Sequence, residues 1–199
     1  MSNERPISLR FAIGLVLSII CLAVPAWADF NAGGDAYTRG DYATAFREWR
    51  PLAEQGDSQS QYNLGWLYFY GRGVPKDYAQ ARQWYKKAAA QGDTSAATNV
   101  GIMYLEGYGV PQDYLTALFW LRRAADHGIA MAQGKLGVMY QEGWGPTQDY
   151  VEAHKWYNLA ATYGDKPAAD LRDALANQMT PAQIAEAQKL AREWKPKGQ

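Results

Sequence analysis

The chain has 199 residues, and its 20 Lys and Arg residues are balanced by 20 Asp and Glu residues, so the formal net charge is zero. Because nucleic acids and anionic membranes are bound through an excess of Lys and Arg, this balance argues against both kinds of partner. Hydrophobic residues make up 48% of the chain and aromatic residues 14%, a composition that excludes a disordered protein and predicts a globular fold with a buried core.

The first 28 residues have the composition of a secretory signal peptide. Two arginines supply positive charge, an apolar run of 14 residues covers 11–24, and Ala26 and Ala28 place small residues at the two positions that signal peptidase reads. A helix of 14 residues rises only ~21 Å, which is short for a hydrocarbon core of ~30 Å. We therefore expect cleavage after Ala28, a periplasmic or secreted protein, and no stable membrane span in the mature chain.

Metal and cofactor chemistry finds little support in the sequence. The single cysteine, Cys21, lies inside the apolar run and follows Ile20, a context that does not fit lipid attachment. The two histidines, His127 and His154, do not by themselves make a metal site, and neither belongs to an HExxH pattern. We expect both on the surface or as cations near helix ends, and we expect no bound metal ion or cofactor.

The middle of the chain repeats itself with a period of 36 residues and no gap. The three copies are residues 58–93, 94–129 and 130–165. Positions that match in all three copies include Gly65, Gly101 and Gly137; Tyr68, Tyr104 and Tyr140; Asp77, Asp113 and Asp149; and Trp84, Trp120 and Trp156. A fixed period of this size predicts a stack of like units, each burying its apolar side against the next.

Each copy is predicted to fold into two helices joined by a turn. In the first half, residues such as Leu64, Leu67 and Tyr68 recur at the spacing of one helical stripe. A Gly-x-Gly pair then ends this helix, since glycine tolerates positive φ. The pair is not a dinucleotide loop, because that fingerprint needs a third glycine and a preceding strand.

The second helix of each copy is predicted to start at an aspartate N-cap. Asp77, Asp113 and Asp149 stand at this point, and Gln80 and Glu152 follow at the capping-box spacing in two copies. The buried face expected for the second helix of the first copy consists of Ala81, Trp84, Tyr85, Ala88 and Ala89.

The flanks are predicted to cap the stack, because the end units of a solenoid would otherwise expose core. Residues 29–57 partly match the repeat and predict a short opening helix and a degenerate unit. Residues 166–199 predict two further helices, the last starting at Thr180 with Gln183 three residues on, and a short tail. The predicted fold is therefore all-α, with about ten helices in the mature chain.

The repeat resembles the Sel1-like repeat, a relative of the tetratricopeptide repeat. The second copy carries the pattern best, through Ala96, Gly101, Tyr104, Gly107, Gly109, Val110, Asp113, Ala117, Trp120, Ala124, Ala125 and Gly128. The resemblance implies a right-handed α-solenoid whose concave face, formed by the first helices, binds a protein or peptide. For exported bacterial members it implies an adaptor in envelope assembly or signalling, without catalysis.

The side chains that differ between the first helices are the candidate partner contacts. They are Tyr62, Asn63, Trp66 and Tyr70 in the first copy and Asn99 in the second. Aromatic side chains dominate binding hot spots because they offer a large contact area with few rotamers to immobilise. The alternative for Trp66 is a core position, since Ile102 and Val138 make the equivalent positions apolar as well.

The turns offer a second possible contact surface. Arg72, Tyr108 and Trp144 stand between the two glycines of their turns. Such residues either extend a binding rim or cover the neighbouring turn, and the sequence does not separate these alternatives.

Two other functions are consistent with the sequence. Glu106 and Glu142 are equivalent residues of neighbouring units. Helices packed about 8 to 10 Å apart would bring their carboxylates near the roughly 6.5 to 9.5 Å separation of inverting glycosidases, which suggests a carbohydrate-active envelope enzyme. An inhibitor or chaperone of a secreted enzyme is the other alternative. The partner, the pathway and the oligomeric state do not follow from the sequence.

Overall fold

The computed structural model describes residues 28–198, which form ten α-helices and no strand. The helices are α1 (Phe30–Thr38), α2 (Tyr42–Glu54), α3 (Ser58–Tyr70), α4 (Tyr78–Ala90), α5 (Thr94–Glu106), α6 (Tyr114–Ala125), α7 (Ala130–Glu142), α8 (Tyr150–Thr162), α9 (Lys166–Ala176) and α10 (Pro181–Glu193). The predicted signal peptide lies outside the described residues except for Ala28. Within residues 28–198, none of the helices has the length and apolar character needed to cross a bilayer.

Aspartate side chains start eight of the ten helices, because each carboxylate accepts a backbone N–H of the first turn. The predicted caps at Asp77, Asp113 and Asp149 are confirmed. The capping boxes predicted with Gln80 and Glu152 are both wrong, since the backbone N–H groups of Asp77 and Asp149 donate to the carbonyl oxygens of Tyr68 and Tyr140 instead. Thr180 and Gln183 form a complete capping box at α10.

The helices stack as consecutive antiparallel pairs. In each of the three repeat units the two helices pack on each other, and the second helix also packs on the first helix of the following unit. Glycines allow this approach: a Cβ added to Gly101 would lie 2.6 Å from Cγ of Leu121. The last helix, α10, packs on α8. The all-α solenoid predicted from the repeat is therefore confirmed for the described residues.

The repeated tryptophan is not equally buried in the three units. Trp156 is fully buried, whereas Trp84 and Trp120 are half-buried. The ammonium group of Lys87 lies over the ring of Trp84, 4.0 Å from the ring centroid. The prediction that Trp84 belongs to the buried face of α4 is thus only partly correct, while Ala81, Tyr85, Ala88 and Ala89 are buried as expected.

The two histidines have opposite environments. His127 is exposed at the end of α6, as predicted. His154 is only 3% exposed, so the prediction of a surface position is wrong. Because α9 packs on α8, His154 is covered, and burial, followed by the nearby charge of Arg172, lowers its pKa. Its Nδ1 has no hydrogen-bond partner among the described residues.

Candidate functional site

The residue between the two glycines of each Gly-x-Gly turn packs on the preceding unit. Tyr108 stacks on Tyr78 with ring centroids 5.3 Å apart, and the guanidinium of Arg72 lies 5.6 Å from the ring centroid of Tyr42. Both Tyr42 and Tyr78 are the first residue of a second helix. Of the two alternatives for these turn residues, the contacts therefore support covering of the neighbouring turn.

An open groove runs along the first helices on both sides of α3. One cavity of about 370 Å³ lies between α1 and α3, and a second of about 230 Å³ lies between α3, α5 and α7. Tyr62 and Trp66 line both cavities, so they form a ridge between them. We call this region the aromatic groove; its main lining residues are Phe30, Tyr37, Tyr62, Asn63, Trp66, Tyr70 and Asn99.

All five predicted contact residues line the aromatic groove. Tyr62, Trp66 and Tyr70 follow one another along one face of α3, since they are spaced by four residues. Asn63 lies on the α1 side of this face, and Asn99 is contributed by α5. The structure thus brings together residues from two consecutive repeat units.

Trp66 is the centre of an aromatic cluster. Its ring centroid lies 4.7 Å from that of Tyr70 and 5.1 Å from that of Tyr37. Trp66 is half-buried and packs against two core clusters, whereas Tyr70 is 55% exposed. The core interpretation of Trp66 is therefore partly correct. The ring also lines the groove, and its contact with a partner stays a prediction.

Tyr62 and the two asparagines give the aromatic groove its hydrogen-bonding groups. The ring of Tyr62 packs 5.6 Å from that of Tyr85, and burial raises the pKa of Tyr62 while the Asn99 side chain partly opposes this shift. The Tyr62 hydroxyl, which both donates and accepts, lies close to the Asn99 side chain at this position. Asn63 and Asn99 are half-buried and present amide groups that both donate and accept.

Sequence reasoning missed part of the aromatic groove. Phe30 and Tyr37 come from α1, and Met131, which is exposed, comes from α7. The short helix α1 lies before the first of the three copies, outside the clear repeat register, so the repeat does not assign its residues to the groove. The signal that could have identified them is the pair of large aromatic residues in a short helix that caps the first helical row.

The two glutamates of the enzymatic alternative lie outside the aromatic groove. Glu106 is exposed, and its Oε1 lies 3.3 Å from Nζ of Lys135 in the next unit. Glu142 is exposed as well and accepts from the side chain of Gln141. Neither carboxylate lines a described cavity, although a glycosidase places its acid and base around an enclosed sugar. Among residues 28–198, no three His, Cys, Asp or Glu side chains cluster as metal ligands would.

A further cavity, of about 470 Å³, lies between α6 and the C-terminal tail. Leu115 and Phe119 form its apolar side and are 69% and 60% exposed, while Arg122 and Lys197 contribute positive charge. Because α6 is a second helix, this patch belongs to a different row of helices from the aromatic groove. The sequence signal for it is the placement of two large apolar residues where the first copy has Ala79 and Gln83.

Comparison with known proteins places these features in a family. The Sel1 repeat matches the chain three times, at residues 58–93, 94–129 and 130–165. A Sel1 repeat protein from Oxalobacter formigenes has a similar solved structure, with 31% sequence identity, a TM-score of 0.70, and coverage of 83% of this chain and 70% of that chain. No curated protein matches.

A second solved structure that is similar belongs to a protective antigen of uropathogenic Escherichia coli strains that displays an SLR fold. It is 29% identical, with a TM-score of 0.52. The match covers 83% of this chain but only 44% of the antigen, so this chain corresponds to less than half of that protein.

Proposed function

Because the chain belongs to the Sel1 repeat family, we propose that it is an exported scaffold that binds a protein or peptide partner in the aromatic groove. Proteins built from this repeat are typically scaffolds for protein interactions and are generally not enzymes. The role we propose for the bound complex is that of an adaptor in envelope assembly or signalling.

The observation that carries this proposal is the partial exposure of the aromatic cluster around Trp66. Tyr70 and Tyr37 are exposed on a surface that is concave rather than flat, and cavities of about 370 and 230 Å³ flank them. Single exposed aromatic residues are common, whereas a contiguous exposed apolar patch on a soluble protein is a mark of an interaction site. An aromatic ridge between two recesses is the arrangement expected where a partner inserts side chains on both sides.

The chemistry of the groove favours contacts that depend little on salt. Its main lining residues are aromatic rings and the neutral polar groups of Tyr62, Asn63 and Asn99. Such a surface buries apolar side chains of a partner and hydrogen-bonds its backbone, because amides both donate and accept. Binding in the groove should therefore persist when ionic strength is raised, whereas binding through surface charges would weaken.

A capture experiment tests this function. The exported protein is immobilised and incubated with envelope extract, and bound proteins are identified by mass spectrometry for the wild type and for Tyr70→Ala. Tyr70→Ala removes an exposed ring, so its melting curve should stay close to that of the wild type. We expect a specific partner to be captured by the wild type and to be lost, or reduced at least about tenfold, with this variant.

Two control variants locate the binding surface. Tyr163→Ala removes a tyrosine with the same 55% exposure as Tyr70 but outside the described cavities, so capture should be unchanged. Phe119→Ala removes an exposed ring from the cavity between α6 and the C-terminal tail. If Phe119→Ala abolishes capture while Tyr70→Ala does not, the assignment to the aromatic groove is wrong.

Export is the other part of the proposal and is tested separately. Its support is the charged start, the short apolar run and the small residues Ala26 and Ala28 in the first 28 residues. Fractionation of cells that express the full chain should place the shortened protein in the periplasm or the medium. Recovery of only the full-length chain with the membrane would contradict the proposed processing.

A further inference from the structure

The first turn of α1 is held against α2 by two adjacent residues. Nε1 of Trp49 donates to the carbonyl oxygen of Phe30 at 3.1 Å. The backbone nitrogen of Asp29 donates to Oε2 of Glu48 at 3.2 Å. Asp29 is thus both the N-cap of α1 and the residue whose main chain is fixed to a side chain of the next helix.

Glu48 is an unusual residue at its position. The equivalent positions of the three repeat units hold Trp84, Trp120 and Trp156. The degenerate unit at residues 29–57 therefore has a carboxylate where the three repeats have a large ring. Glu48 is only 7% exposed. Its cationic neighbour is Arg47, whose guanidinium lies 3.5 Å away on a side chain that is 63% exposed. An ion pair with an exposed arginine is screened by water and contributes little. Arg47 also contacts Oε1 of Glu48, which leaves Oε2 to the Asp29 nitrogen.

We propose that Glu48 is the built-in acceptor for the α-ammonium group that processing creates at Asp29. This inference rests on the proposed export, because it requires that a signal peptidase cleave the bond between Ala28 and Asp29. Hydrolysis breaks the bond from the Ala28 carbonyl carbon to the Asp29 nitrogen; water adds OH to the carbon and H to the nitrogen. The new carboxyl group releases a proton and the new amine gains one, since α-amino groups have a pKa of about 8.

The conversion changes the electrostatics at one hydrogen bond. Before cleavage, a neutral amide N–H faces the Glu48 carboxylate, whereas afterwards a positive charge stands at the same nitrogen. A cation at the start of a helix is unfavourable because the helix dipole is positive there. Glu48, 3.2 Å from that nitrogen, offsets this repulsion, and the ammonium in turn neutralises the buried carboxylate. Processing thereby strengthens the contact between the start of α1 and Glu48 of α2. Helix α1 contributes Phe30 and Tyr37 to the aromatic groove.

The test uses the exported protein and its Glu48→Gln variant, which keeps the size of the side chain but not its charge. Intact mass first establishes whether the chain begins at Asp29. Each protein is then acetylated on its α-amino group only, verified by peptide mass, so that the N–H donor remains but the positive charge is lost. Hydrogen exchange of the α1 amides reports local opening.

We expect acetylation to speed exchange in α1 about tenfold in the wild type, the size expected when a charge-assisted hydrogen bond becomes an ordinary one. In Glu48→Gln the same acetylation should not speed exchange, and it should slow exchange slightly because it removes an uncompensated cation from the start of the helix. Glu54→Gln is the matched control, because Glu54 is an exposed carboxylate of the same helix, and it should respond like the wild type.

Each other outcome overturns a distinct claim. An equal effect of acetylation in Glu48→Gln and the wild type would mean that Glu48 does not hold the ammonium. A mature chain that begins elsewhere would remove the group altogether and would overturn the inference together with the predicted cleavage site. Partner capture is not a readout here, so failure of the aromatic groove to bind a partner leaves this result intact.

Discussion

Trp144 stacks on Tyr114, with the ring planes 5° from parallel and the ring centroids 5.5 Å apart. Trp144 lies in the turn after α7, and Tyr114 is the first residue of α6 in the preceding unit. Tyr108 and Tyr78 repeat this contact one unit earlier. The turns are therefore connections between units, and the stack is joined along this edge as well as through its core.

Trp144→Ala should lower the free energy of unfolding by about 1 to 2 kcal/mol. An aromatic pair contributes about 0.5 to 1.5 kcal/mol beyond its buried area, and some buried area is lost in addition. Trp144→Phe keeps a ring above Tyr114 and should recover most of the loss. Urea denaturation followed by circular dichroism measures both variants. An alanine variant as stable as the wild type would mean that the stack does not join the units.

Gly109→Ala should destabilise the protein by about 3 kcal/mol, which combines backbone strain with a steric clash. Gly109 has a φ of 67°, and an added Cβ would lie 2.4 Å from Cβ of Tyr78. Gly92 is the matched control, because its φ is 99° but an added Cβ would meet nothing within 4 Å. Gly92→Ala should therefore cost only the strain, about 1 to 2 kcal/mol. Equal thermal midpoints for the two variants would contradict the tight approach at Tyr78.

Trp66→Ala should lower the free energy of unfolding by about 2 to 3 kcal/mol, less than the 3 to 5 kcal/mol typical of a fully buried tryptophan. The reason is that Trp66 is half-buried yet packs against two core clusters. Trp66→Phe should restore most of the stability. Thermal denaturation checks this, and an unchanged midpoint for Trp66→Ala would mean that the ring serves the groove alone.

Stability should fall as the pH drops from about 7 to 5, and His154 should account for part of this loss. Burial and then Arg172 lower the pKa of His154 in the folded state below its ordinary value of 6.5, while Asp173 opposes them. The unfolded chain therefore binds more protons below pH 6.5, and protonation favours unfolding. The thermal midpoint of His154→Gln should decline less over this range than that of the wild type.

His127→Gln serves as the control for that pH series, because His127 is exposed and its loss should leave the decline unchanged. The same decline in His154→Gln and the wild type would show that other groups, and not the buried imidazole, cause the acid sensitivity.

The helices and their order could be predicted from the sequence because their signals are local. Asp77 and Asp113 cap helices through N–H groups two and three residues away, and glycines end helices through their own φ. A period of 36 residues repeats these signals, and units that cannot bury their apolar faces alone must stack. The five candidate contact residues were also chosen from the repeat, because matching positions share a face, and they line the aromatic groove. Their contact with a partner stays a prediction.

Burial and the full extent of the groove could not be predicted in this way, because they depend on which neighbour covers a given residue. Trp84 and Trp156 occupy the same position of the repeat, yet only Trp156 is fully buried, since the surroundings of the two units differ. His154 is buried by a neighbour that lies outside the repeats. The contact between Asp29 and Glu48 joins two residues with no shared signal, so only the packing of α1 on α2 brings them within hydrogen-bonding distance.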